Sequence, residues 1–412
     1  MPDEAGRAFN PSRIAILLAV SAASGLSACA RSPEPVPLQT PAAAGAMLPR
    51  LSADPSGTLW LSWVEPGPDA HTLRFASLGD DGWSEARTAA HGADWFVNWA
   101  DFPSVVHLGE GHLAAHWLHK LEGGTYAYEL LASVSTDGGA QWSVPVAPHG
   151  DATATEHGFA SLFPVPGGAG AVWLDGRNTS GGDHGDEHHS AHGAMTLRAG
   201  GLDWSGRPLP EFELDARVCD CCGTAAVTST HGVTVVYRGR SETEIRDIHA
   251  VTLGPDGWSV PAPVGDEGWQ MPACPVNGPA LAARGQRLAA AWFTAAQGRP
   301  RVLAAFSSDG GRRWSETVEV SGDGALGRVA IVMPDAASAV VSWLENSGGG
   351  AEIRYRRVPL EGRPAAAMTL ATTSPARSSG FPQMALAGNR LVFAWTRDGE
   401  TAGIATATVP VP

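Results

Sequence analysis

Apolar residues recur along this chain in short runs, each opened by a polar turn and closed by an aromatic side chain. The runs read Gly57-Thr-Leu-Trp-Leu-Ser-Trp63, Gly111-His-Leu-Ala-Ala-His-Trp117, Ala169-Gly-Ala-Val-Trp173, Gly232-Val-Thr-Val-Val-Tyr237, Gln286-Arg-Leu-Ala-Ala-Ala-Trp292, Ser338-Ala-Val-Val-Ser-Trp343 and Asn389-Arg-Leu-Val-Phe-Ala-Trp395. Their closing aromatics lie 54, 56, 64, 55, 51 and 52 residues apart. Each run is strand-length and none continues with helical periodicity, so the elements predicted are strands. An upstream strand precedes each run, as in Phe102-Pro-Ser-Val-Val-His-Leu108 and Phe381-Pro-Gln-Met-Ala-Leu386, and a downstream one follows, as in Ile245-Arg-Asp-Ile-His-Ala-Val251 and Ile353-Arg-Tyr-Arg-Arg-Val358. A lone small sheet cannot bury both faces, and a repeat of this length satisfies them by stacking sheets around an axis. The fold predicted is an all-β propeller of seven blades, six with one merged repeat being the alternative count. The upstream strands should line the channel. Blade seven runs out near Val409, so residues before Leu48 are expected to supply its outer strand.

The first 28 residues break this pattern. Arg7 and Arg13 precede an apolar stretch that begins at Ile14 and is too short to span a bilayer. Leu26-Ser-Ala-Cys29 follows, and it resembles the lipobox of bacterial lipoproteins. That resemblance implies a signal peptide over 1–28, a lipidated Cys29 and a location at the cell envelope, periplasmic or outer-membrane associated. Residues 29–46, rich in Pro and Ala, read as a tether, and 47–412 as the propeller. The formal net charge is −14, and residues 1–28 contribute two acids and two Arg, so the exported part carries all of it. An acidic surface argues against nucleic acid as partner. The partners expected are the membrane through the lipid and a glycan or protein ligand, with the chain a monomer.

Two hairpins share a tighter motif. Ser135-Thr-Asp137-Gly-Gly139-Ala-Gln-Trp142 and Ser307-Ser-Asp309-Gly-Gly311-Arg-Arg-Trp314 read S-x-D-x-G-x-x-W. This resembles the Asp-box, or BNR repeat, of sialidases, and we expect a structural role: hydroxyl and carboxylate satisfy turn N–H groups while Gly takes a positive φ. Family sialidases imply an Arg triad, a Tyr nucleophile paired with Glu, and an Asp acid/base. The early Arg-Ile-Pro signature of that family is absent, Met47-Leu-Pro-Arg50 being the nearest stretch. Of four Tyr, Tyr237 stands in the most suggestive company, with Arg238, Arg240, Glu242, Arg246 and Asp247. Its alternative role is the core aromatic of blade four.

Other residues exceed what the repeat needs. Cys219, Cys221 and Cys222 lie before the inner strand of blade four and Cys274 before that of blade five. In an oxidising envelope these form disulfides, with a bridge from blade four to blade five through Cys274 the favoured pairing. A Cu or Zn site and a redox-active pair are the alternatives. The long spacing in blade three holds His184, His188, His189 and His192 among acids, a composition that binds metal loosely. Asp101, His157, Asp220, Asn277, Arg328 and Arg377 precede inner strands and mark the channel mouth, where propellers gather binding loops. Trp95, Trp99 and Trp269 fall in connecting loops, where an exposed ring could stack on a sugar.

The leading expectation is a lipid-anchored propeller that binds a ligand or partner at its channel mouth without the full sialidase catalytic set. A sialidase-type glycoside hydrolase is the first alternative, and metal handling through the cysteines and the His-rich loop is the second.

Overall fold

The computed structural model describes residues 33–179 and 193–412. Cys29, the 28 residues before it, and His184, His188, His189 and His192 lie outside the described residues.

Seven antiparallel sheets follow one another along the chain. Their first strands are Met47–Ala53, Ser104–Gly109, His157–Val165, Ala225–Ser229, Ala280–Arg284, Ala325–Asp335 and Gln383–Ala387. These neighbour one another in sequence order and the last meets the first, so they form the innermost ring. The molecule is a seven-bladed β-propeller. Blade seven is completed by Val36–Leu38, which pairs with Gly403–Pro410 in the register Val36 to Thr408 and Leu38 to Thr406. A stretch read as tether therefore contains the strand that closes the ring.

The recurring aromatics sit on the second strand of each blade. Trp63, Tyr237, Trp173, Trp292 and Trp343 are buried between neighbouring sheets. A buried indole N–H needs an acceptor, and the strand itself provides one two residues on, on the same face. Trp63 Nε1 donates to Glu65 at 2.9 Å, Trp173 to Asp175 at 2.8 Å and Trp343 to Glu345 at 2.9 Å.

The two S-x-D-x-G-x-x-W hairpins share one geometry. The Ser135 hydroxyl donates to Asp137 and accepts from Gly139 N, and Asp137 accepts from Gln141 N. Ser307, Asp309, Gly311 and Arg313 repeat these bonds. The second turn also abuts the preceding blade, because the Gly310 carbonyl accepts from Thr234 Oγ1 in blade four at 2.9 Å.

Candidate functional site

One end of the channel, where the first strands begin, carries a cavity of about 40 Å³ lined by Arg50, Asp101, Phe102, His116, Phe159 and Thr224 among others. Asp101 reaches it with both oxygens engaged. One accepts from Phe159 N at 2.7 Å, the other from the Tyr128 hydroxyl at 3.0 Å. Burial pushes its carboxyl up to about 7, with the Glu156 charge adding to the rise. Asn277 repeats the device between blades five and six, accepting from Arg328 N at 2.8 Å. Phe159 and Arg328 both have left-handed backbones, φ 54° and 53°. Each follows a glycine whose Cβ would strike the acceptor, at 1.9 Å for Gly158 and 2.1 Å for Gly327. Asp101 and Asn277 therefore latch adjacent blades.

The remaining residues expected at the mouth are variously placed. Arg328 spends its guanidinium on Ser379 and on the carbonyls of Pro375, Ala376 and Gly380. It lies 5.0 Å over Trp99, and exposed Arg377 lies 5.8 Å over the same ring. Trp99 is half-buried and stacks on Phe381, whereas Trp95 and Trp269 are core residues. Arg50 differs from these arginines. Among the described residues it has no ion pair and no side-chain hydrogen bond; its guanidinium faces the Phe102 ring at 5.8 Å. Burial alone pulls its pKa down, since no carboxylate offsets the lost hydration.

In blade four the arginines are tied inward. Arg238 is fully buried and donates to the carbonyls of Asn277, Phe293 and Arg246. Arg240 pairs with Asp220 at 3.0 Å and Glu244 at 2.8 Å, and Arg246 with the same two acids at 3.3 and 2.8 Å. Asp247 accepts from the N–H groups of Gly268 and Trp269, and Glu242 is exposed. The Tyr237 hydroxyl donates to Asp215 at 2.7 Å, and burial raises its pKa. The three Arg do not converge on an open pocket with Tyr237.

The four sulfurs converge, but not as an extended strand would arrange them. The chain turns at Asp220 and Cys221, which brings Cys222 back beside Cys219. Cys221 and Cys274 form a disulfide joining blades four and five. Cys219 and Cys222 are free, buried, and 2.9 Å apart at Sγ. Burial opposes ionisation of Cys219, yet its hydrogen bond with Cys222 and the charges of Arg246 and Arg238 hold its thiol below the usual range.

Two further groups form around Tyr128, whose carboxylate partners come from other segments, and around His157, whose partners His149 and Asp151 stand shortly before it in the chain. Tyr128 donates to Glu156 at 2.7 Å as well as to Asp101, and Phe96 stacks on its ring at 4.2 Å. This places a Tyr beside a Glu and an Asp in blades two and three, away from Tyr237, but the phenol is fully buried and its pKa is driven upward by burial and both carboxylates. His157 is also fully buried. It stacks on His149 at 4.0 Å, and the two rings grip Asp151, His149 Nδ1 at 2.8 Å and His157 Nε2 at 3.1 Å. Arg177 approaches Asp151 at 3.4 Å and pairs with Asp175 and Glu211 at 2.7 Å each. The geometry of His149, Asp151 and His157 could admit a cation, but Arg177 already brings positive charge there.

No protein-family model matches the chain, and no curated protein matches it. Among solved structures it is similar to an ulvan lyase, described as a new family of polysaccharide lyase, with a TM-score of 0.50 and 12% identity over 92% of this chain and 94% of that one. It is also similar to a Hadza microbial sialidase, TM-score 0.48 and 11% identity over 82% and 73%. A Trypanosoma rangeli sialidase mutant displaying trans-sialidase activity gives 0.44 and 12% over 80% and 56%. At these identities the likeness concerns the propeller fold.

Proposed function

We propose that this protein is a lipid-anchored propeller of the bacterial cell envelope that binds an anionic ligand at its channel mouth and does not hydrolyse sialosides. One observation carries the binding reading: Arg50 lines the channel cavity with no anionic partner among the described residues. Arg50 is half-buried, and a guanidinium that has lost hydration without gaining a counter-charge is unsatisfied, so a carboxylate, sulfate or phosphate that docks there recovers that loss through charge-assisted hydrogen bonds. His116 beside it is held neutral, its pKa lowered to about 3 by burial and by Arg50, so it adds no competing positive charge.

Calorimetric titration with an oligouronate and with a neutral oligosaccharide of equal length tests the reading. We expect binding of the acid alone, and at least a tenfold loss on Arg50→Gln; equal binding of both sugars, or an unchanged Arg50→Gln, overturns it. A second expectation concerns the anchor: Cys29→Ser should move the protein from the membrane to the soluble fraction of the envelope, and continued membrane association would refute lipidation there.

The glycosidase reading draws on one specific feature, the Tyr128–Glu156–Asp101 group. Against it stand the buried phenol and three blade-four arginines bound to protein groups. No release of fluorophore from an aryl sialoside is expected, and turnover abolished by Tyr128→Phe would restore that reading.

A further inference from the structure

We infer that Cys219 and Cys222 form a binding site for one copper(I) ion. The inference is independent of the anionic-ligand reading, because it concerns a different group of atoms.

The argument begins with the turn. Asp220 and Cys221 fold the chain so that residues three apart meet, and Cys219 Sγ and Cys222 Sγ lie 2.9 Å from each other while both side chains are buried. A third sulfur, Cys221, lies within 4.8 Å of both but is bonded to Cys274. The disulfide pins the turn to blade five, so the two free thiols are held together by covalent structure outside them. Among the described residues no imidazole or carboxylate belongs to this group of donor atoms.

The donor set then selects the ion. Zinc in a closed protein site takes four nitrogen, sulfur or oxygen ligands, and only two are free here. Calcium and magnesium require oxygen. Copper(I) is soft, prefers thiolate and is satisfied by two sulfurs; the pair must open from 2.9 Å to roughly 4.5 Å, two metal–sulfur bonds in line, as it enters. Two thiolates and one copper(I) carry a net charge of −1. Arg246 and Arg238 both bring positive charge to the Cys219 sulfur, which compensates that charge in a buried place. Gly223 and Thr224, directly after Cys222, line the channel-mouth cavity, which gives the site a neighbour in that cavity one residue along the chain. No redox step is involved: the thiol protons leave as copper(I) binds, and the metal keeps its oxidation state.

The full mature protein is purified anaerobically, denatured without reductant, alkylated and peptide-mapped. Label on Cys219 and Cys222 and none on Cys221 or Cys274 is expected; unlabelled Cys219 and Cys222 would mean that they are bonded to each other, and would overturn the proposal. The folded protein is then titrated with copper(I) against bicinchoninate. One equivalent should transfer to the protein, with none on Cys219→Ser or Cys222→Ser, while zinc(II) is not taken up. Free thiols with no copper transfer, or zinc taken up in its place, overturns the site. Should either variant fail to fold, X-ray absorption of the copper-loaded wild-type protein decides the matter. A shell of sulfur alone is expected, and nitrogen or oxygen in that shell refutes the assignment.

Discussion

At Asp101 one carboxylate joins blade two to blade three, and its protonation is tied to that joint. Its oxygens face Phe159 N and the Tyr128 hydroxyl, Glu156 lies across the same phenol, and Arg50 and His116 line the adjoining cavity. Burial raises the folded pKa to about 7, whereas an unfolded Asp titrates near ~3.9. Below about pH 4 both states hold the proton, so the stabilisation is fully present. As pH rises toward 7 the unfolded chain releases the proton first and that stabilisation is lost, by on the order of 4 kcal/mol at most. Urea unfolding from about pH 4 to about pH 8 should therefore show wild type losing stability relative to Asp101→Asn as pH climbs. A difference curve that is flat, or that rises, would contradict the assignment. Asp101, Asn277 and Arg328 also explain what the sequence concealed. Their position before or within inner strands was readable from the repeat. Their work as latches was not, because each acceptor meets an N–H in the next blade and the left-handed backbone that presents it has no local signal beyond a preceding glycine.

Elements of this fold carry two kinds of instruction, one local and one relayed between blades. The strand positions were legible because a buried aromatic and an acid two residues later satisfy each other within one strand, as Trp173 and Asp175 do. The S-x-D-x-G-x-x-W turns were legible for the same reason, since Ser307, Asp309 and Gly311 bond among themselves. Their second contact was not: Gly311 has φ +87°, and a Cβ there would lie 2.7 Å from Thr234 Cγ2 in blade four. This separates two substitutions. Ser307→Ala removes one turn acceptor and should cost about 1–2 kcal/mol. Gly311→Ala adds backbone strain and overpacks a joint between blades, and should cost more, about 2–4 kcal/mol. Thermal and urea unfolding of the two variants checks the order, and a Gly311→Ala protein as stable as Ser307→Ala would show that the turn does not press on blade four. The charged hairpin of blade four was illegible on the same physical ground. Arg238 faces carbonyls of Asn277 and Phe293, and nothing within its own hairpin announces those acceptors 39 and 55 residues away.

The whole molecule is closed by its first described strand. Val36–Leu38 completes blade seven, so residues 368 apart share a hydrogen bond where Thr406 Oγ1 donates to the Leu38 carbonyl at 2.8 Å. Joining the two ends of a ring restricts the unfolded chain little per bond, yet it protects the outer edge of a blade that would otherwise present unpaired backbone groups. A chain beginning at Pro41 keeps every first strand of the seven blades and the buried aromatics of their second strands. It should therefore fold, but with stability lowered by about 3 kcal/mol, roughly one for each of the three residue pairs lost. The exposed edge of Gly403–Pro410 then becomes a template for a second chain, so the truncated protein should also dimerise or aggregate at lower concentration than a chain beginning at Pro33. Urea unfolding together with light scattering measures both effects. If the shorter chain were equally stable and equally monomeric, Val36–Leu38 would be decoration on a ring already closed by its inner strands. If it failed to fold at all, closure would be part of the folding nucleus, and the seven-bladed ring could not form from residues 47–412 alone.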